Sequence, residues 1–168
     1  MENDIIENLT SEDYHPVTIV ERLAEHSGWT YARPDKDSMS IEITGYWKIY
    51  LITVAWSESD ETLRFLCSYD FAPSESHLPR LYETINLANK RCWYGSFSFS
   101  KEDGLMYCTY GANVTGDAEV TLDQIEDIIE NLLLSCDHCY LAFQLIYDKS
   151  LTPKEAMELV LEGTYGTA

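Results

Sequence analysis

The chain has 168 residues, 45% of them apolar, and its 29 acidic against 11 basic side chains give a formal charge of -18. A chain of this length supports one hydrophobic core, and a field of this sign repels phosphate backbones and anionic bilayers unless a basic patch offsets it. Lys90-Arg91 is the only adjacent basic pair, so nucleic acid and membrane are excluded as partners. No apolar run approaches the roughly 20 residues of a bilayer span, and the acidic start Met1 to Glu7 lacks the basic, then apolar, pattern of a signal peptide. The five cysteines are odd in number and read as free thiols of a cytoplasmic protein.

Met1 to Tyr14 mixes acids with Ile5, Ile6 and Leu9, in the manner of a short helix or docking arm. From Pro16 a helix is predicted, with Val17, Val20, Leu23 and Ala24 on one face and a stop at His26-Ser27-Gly28. Trp29 and Tyr31 lead through the polar Arg33 to Asp37 loop into a strand carrying Met39, Ile41 and Ile43. A second strand is predicted over Tyr46 to Trp56, apolar on both parities and hence partly covered on both faces. The acidic turn Ser57 to Glu61 reverses it into Leu63, Phe65, Cys67, Tyr69 and Phe71, so these three strands form an antiparallel meander.

Pro73 ends the meander, and Ser76 is the expected cap of a helix whose stripe runs Leu78, Leu81, Tyr82, Ile85, Ala88. Tyr94, Phe97 and Phe99 alternate with polar neighbours, and Leu105 to Tyr110 follows beyond Asp103-Gly104, which predicts a second hairpin. After a loop over Ala112 to Glu119, Thr121 and Gln124 make a capping box ahead of Ile125, Ile128, Ile129 and Leu132. Apolar spacing continues to Tyr147, so this helix either persists or breaks near Ser135. Thr152-Pro153 opens a final short helix. The expected fold is α+β with the order α-β-β-β-α-β-β-α and a five-stranded antiparallel sheet with helices packed against it. Residues 1–168 read as a single domain, its core over about 16–147 and a helical extension over about 152–163.

Reactive residue types cluster only at Cys136-Asp137-His138-Cys139. A redox CxxC wants its first cysteine at a helix start, and this one falls inside an apolar-periodic segment. As a zinc site it lacks a partner pair, which distant Cys67, Cys92 or Cys108 would have to supply. His15, His26 and His77 are isolated, Ser96 has no elbow context, and the spacing of Gly111 and Gly116 is wrong for a phosphate loop. No catalytic, cofactor-binding or metal residue is assigned, and the chain reads as no enzyme. Twelve tyrosines and four tryptophans exceed what a small core absorbs, and Tyr46, Tyr50, Tyr107 and Tyr110 are candidate interface residues: a sheet face that carries any of them and is left uncovered by helices is a binding surface or a dimer seam. Asn86 and Asn89, near a helix end, are placed to cap the following turn or to bond the neighbouring strand.

Ile85-Asn86-Leu87-Ala88-Asn89, Trp93-Tyr94-Gly95-Ser96-Phe97 and Asp103-Gly104 together resemble the YbjN-domain family, described as "putative bacterial sensory transduction regulator", with a fold similar to type III secretion chaperones. The resemblance covers roughly Val17 to Tyr147. It places the family's Asn-x-x-Asn on Asn86 and Asn89, its strand glycine on Gly95, and the start of the last helix at Thr121. It carries no catalytic residues, and it implies protein-directed action, regulatory or chaperone-like, and a fold class that dimerises. The combined reading is a non-enzymatic, acidic, cytosolic protein-binding adaptor, without cofactor, whose partner is another protein or a second copy in a homodimer. The alternative is a small metal- or thiol-based protein using Cys136, His138 and Cys139.

Overall fold

The computed structural model describes residues 15–115 and 120–165, with side chains to residue 160. The Met1 to Tyr14 stretch and the Gly116 to Glu119 part of the loop lie outside the described residues. Helix α1 (Pro16–Ser27) begins where the His15 ring accepts the Val17 N–H at 3.3 Å, and it closes at Gly28. The chain then reverses tightly enough for Thr30 to lie beside Glu42, so Thr30–Ala32 becomes a strand, β1. Among the described residues the sheet thus has six strands, one more than expected, because the Trp29-Tyr31 lead-in finds the free edge of the next strand.

Strands β2 (Ser38–Thr44), β3 (Ile49–Ser57) and β4 (Thr62–Asp70) form the expected meander. The second of them starts three residues later than the apolar pattern indicated, because Tyr46-Trp47-Lys48 is the turn, with Gly45 N–H donating to the Lys48 carbonyl at 2.8 Å. A short 3-10 turn, Glu75–His77, precedes α2 (Leu78–Asn89), so Ser76 lies inside that turn and His77, not Ser76, is the residue before the helix. The hairpin of β5 (Ser96–Ser100) and β6 (Leu105–Asn113) joins through its second strand, giving the order β1-β2-β3-β4-β6-β5.

Helix α3 (Leu122–Gln144) runs unbroken through Ser135, whose hydroxyl donates to the Asn131 carbonyl and so satisfies itself within the helix. Its start carries the capping box, with Thr121 and Gln124 exchanging bonds of 3.1 and 3.2 Å. Helix α4 (Pro153–Tyr165) packs on α2 and α3. One parity of every long strand is buried: Ile41, Ile52, Phe65 and Cys108 meet Val20, Leu81, Ile125 and Phe143 from the helices. The described helices therefore lie on one side of the sheet, and no described helix packs on its other face. No helix among the described residues is long and apolar enough to cross a membrane.

Candidate functional site

The feature that organises the surface is Asp137, in the middle of α3. Its carboxylate accepts from Tyr46 N–H at 2.8 Å, Trp47 N–H at 3.3 Å and the Tyr50 hydroxyl at 2.7 Å. One side chain thereby satisfies two backbone donors of the β2–β3 turn and a phenol of the core. Gly45 makes the approach feasible, since a Cβ there would overlap the Tyr50 ring and crowd Asp137. Burial, then the bond to Asp137, pushes the Tyr50 phenol well above its ordinary range.

Held this way, the turn displays two aromatic rings. Trp47 stacks on Tyr140 of α3 with ring centres 6.1 Å apart, Tyr46 meets Trp47 edge-on at 4.7 Å, and Tyr46 remains 80% exposed. The rings line a groove of about 800 Å³ together with Leu134, Leu141 and Leu145 of α3 and its extension and Leu159 and Val160 of α4. Leu134, Leu141 and Leu159 are all exposed. The polar groups inside are Asp137, His138 and Gln144. Mostly apolar walls with a few placed polar groups are the ordinary makeup of a binding groove.

The four candidate tyrosines do not share a surface. Tyr46 is on the groove, and Tyr107 is half-buried on the sheet face away from the described helices. Tyr110 lies on the helix-side parity at the far end of β6, 6.0 Å from Tyr94. Tyr50 is fully buried and lies on no free surface, because it shares the inward parity of Ile52 and Val54, with its hydroxyl on Asp137 and its ring against Tyr69. The groove leucines were missed by following only the core stripe of α3. The helix's outward face carries Asp123, Asp127 and Glu130 in its first half and Leu134 and Leu141 in its second, a change of character that the sequence displays.

Asn89 and Gly95 are structural. The Asn89 amide accepts from Phe97 N–H at 2.6 Å and donates to the Phe97 carbonyl at 3.0 Å, so it pairs the outward backbone of the edge strand β5 in place of another strand. Asn86, three residues earlier, is exposed on α2 and makes neither of these bonds. Gly95 adopts φ of +81°, and a Cβ there would come within 2.8 Å of the Thr109 carbonyl oxygen and 2.9 Å of the Cys108 sulfur. Only glycine lets the chain enter β5 at this depth.

All five cysteines are free and lie in one neighbourhood of the core. Cys67 and Cys108 are cross-strand partners, and the Cys136 sulfur is 3.5 Å from that of Cys67. Cys108 adjoins both Cys136 and Cys92, whose thiols hold it below the ordinary range, but it is fully buried. Burial pushes Cys139 up to about 12. The residue types that looked reactive thus divide between packing (Cys136, Cys139), pinning the turn (Asp137) and lining the groove (His138). Among the described residues no group of three or more His, Cys, Asp or Glu is arranged to hold a metal ion.

A family model, YbjN, described as "Putative bacterial sensory transduction regulator", matches residues 16–145. Among solved structures, the crystal structure of YbjN from E. coli, described as "a putative transcription regulator", aligns with a TM-score of 0.50 at 11% identity, covering 72% of this chain and 90% of that one. The HopA1-SchA chaperone-effector complex aligns with a TM-score of 0.46 at 10% identity, over 76% of this chain and 94% of that chain. No curated protein matches the sequence.

Proposed function

Because this chain belongs to the YbjN family, we propose that it is a non-enzymatic regulatory adaptor of the bacterial cytoplasm that binds a basic, amphipathic helical segment of another protein in the groove between the β2–β3 turn, α3 and α4. The observation that carries this reading is the outward face of α3, acidic at Asp123, Asp127 and Glu130 and then apolar at Leu134 and Leu141. A helix laid along it would set apolar anchors at helical spacing over the leucines, under the Trp47 ring, and basic residues over the acids. The formal charge of -18 speeds encounter with such a partner. Five free thiols support a reducing compartment, and the family's description supports a regulatory role rather than a catalytic one.

Fluorescence anisotropy with three labelled peptides tests it: a lysine-flanked amphipathic helix, an acid-flanked helix with the same apolar face, and a lysine-rich peptide with the apolar face scrambled. The first is expected to bind, weaken as salt is raised, and lose at least about tenfold in affinity in the Leu141→Asp protein. An added acid would strengthen a purely ionic contact, so that loss identifies apolar docking. Equal binding of the scrambled peptide would overturn the groove reading, and equal binding of the acid-flanked peptide would overturn the choice of a basic partner while leaving the groove in place.

A further inference from the structure

The chain's longest stretch without an acidic residue runs from Thr84 to Lys101, along the second half of α2, the α2–β5 turn and β5. It carries three cations on a protein of charge -18. Lys101 pairs with Glu75 at 2.6 Å, whereas the Lys90 and Arg91 side chains are exposed and make no ion pair or hydrogen bond among the described residues. Beside them Trp93 is 94% exposed, more than any other large apolar side chain among those residues. From this cluster we infer a second docking surface, formed by Lys90, Arg91, Trp93 and Tyr94, that takes an acidic segment of another protein with an aromatic residue among its acids.

The turn holds these groups outward on a fixed backbone. The Arg91 and Cys92 N–H groups both donate to the Ala88 carbonyl at 2.9 Å, and the Cys92 thiol donates to the Tyr94 carbonyl at 2.8 Å. Gly95 and the bonds between Asn89 and Phe97 fix the entry to β5 immediately afterwards. Tyr94 leans on Tyr110, while Trp93 has no ring partner among the described residues. A side chain presented from a backbone already held at both ends has less freedom to lose on binding. A helix C-terminus favours cations on its own account, which explains Lys90 and Arg91. It does not explain why the bulkiest apolar side chain stands in solvent beside them, and tryptophan with arginine is the pairing of residue types that most often carries binding energy.

Charge selects the occupant. The groove adjoins the acids of α3 and suits a basic helix, whereas two cations without counter-ions suit carboxylates, one of which the Arg91 guanidinium can take through two parallel bonds. At physiological salt, exposed charges more than about 8 Å away are largely screened, so the local pair outweighs the chain's distant acids. A nucleic-acid strand fits less well. It is charged at every nucleotide and would run from these cations onto Glu83 and Glu102, the exposed acids that border the stretch, while a protein segment can confine its acids to the patch. None of the four residues lines the groove, so this surface stands or falls independently of the basic helix proposed there.

Fluorescence anisotropy of the full chain at about 150 mM salt tests the inference with a labelled peptide in which glutamates flank one phenylalanine. Its controls are the same peptide with serine for phenylalanine and a single-stranded oligonucleotide of equal charge. The phenylalanine peptide is expected to bind, and both controls at least about tenfold more weakly. Trp93→Ala and Arg91→Glu are each expected to lower its affinity at least about tenfold, whereas Leu141→Asp in the groove leaves it unchanged. Circular dichroism establishes that the variants are folded; should Trp93→Ala not fold, Arg91→Glu reads the same surface. No binding, binding that survives both turn variants, binding lost in Leu141→Asp, or equal binding of either control overturns the inference. Self-association that Arg91→Glu abolishes would assign the patch to a second copy of the chain and overturns it likewise.

Discussion

Asp137 and Asn89 perform the same task at opposite ends of the sheet, each using one polar side chain on a helix to satisfy two or more groups of a neighbouring strand or turn. Asn89 does so across eight residues of chain, at the junction of α2 and β5, and the result is a closed edge. Asp137 does so across about ninety residues, and the result is an open surface with two aromatic rings presented to solvent. The local brace blocks pairing at the β5 edge, while the long-range pin holds the wall of the groove. Position along the chain thus separates a residue that closes an edge from one that shapes the groove, although the hydrogen bonds are alike.

Alkaline pH separates the two ends most strongly. Tyr50 and Tyr69 are buried phenols with raised pKa, so the stability they contribute is complete below the ordinary phenol value near 10 and is lost as pH rises through their folded values. Ionised Tyr50 would also face the Asp137 carboxylate that now accepts its proton. Amide exchange at Tyr46 and Trp47 is therefore expected to accelerate above about pH 10 before that at Phe97, and these two phenols should ionise only with loss of folded structure, read by tyrosinate absorbance beside circular dichroism. Simultaneous loss of protection at both ends would remove the distinction.

Asp137→Ala leaves the Tyr50 hydroxyl and the Tyr46 and Trp47 N–H groups without their acceptor, and is expected to cost about 3 kcal/mol in chemical unfolding and to abolish peptide binding in the groove. Gly95→Ala forces a left-handed residue with a Cβ against the Thr109 carbonyl, for about 2 to 3 kcal/mol. Asn89→Ala should cost about 2 kcal/mol, leave peptide binding intact, and increase concentration-dependent association by opening the β5 edge. Thr121→Ala removes the cap of α3 for about 1 kcal/mol, with no change in binding. Loss of groove binding in Asn89→Ala, or its retention in Asp137→Ala, would show that the two ends are not separate in function.

Much of the architecture was legible because its signals are short-range. The Pro16 start and Gly28 stop of α1, the Thr121/Gln124 capping box, the Asp103-Gly104 hairpin and the alternation of Leu63 to Tyr69 each depend on residues a few positions apart. Errors arose where a local signal competed with a contact elsewhere in the chain. Tyr46 and Trp47 have strand-like composition but form a turn because Asp137 accepts their N–H groups. Tyr31 pairs with Ile41 because the reversal at Gly28 brings it to a free edge. At Cys136-Asp137-His138-Cys139 the sequence favours helix packing, with metal or thiol chemistry as the alternative, and the helix's geometry divides its members between core, turn and groove.

The sequence by itself determined α1, the capped start of α3, the meander, the second hairpin and the family motifs at Asn86, Asn89 and Gly95, since periodicity and capping are written in neighbouring residues. Tertiary structure alone decided that β6 lies against β4, that Tyr50 turns inward, that five distant cysteines share one neighbourhood, and that Trp47, Leu134, Leu141 and Leu159 line one groove. These depend on which faces are buried together, and burial is a property of the assembled layers: a residue's own neighbours in sequence state its chemistry, but only the packed chain states whether that chemistry meets the core, another strand or solvent.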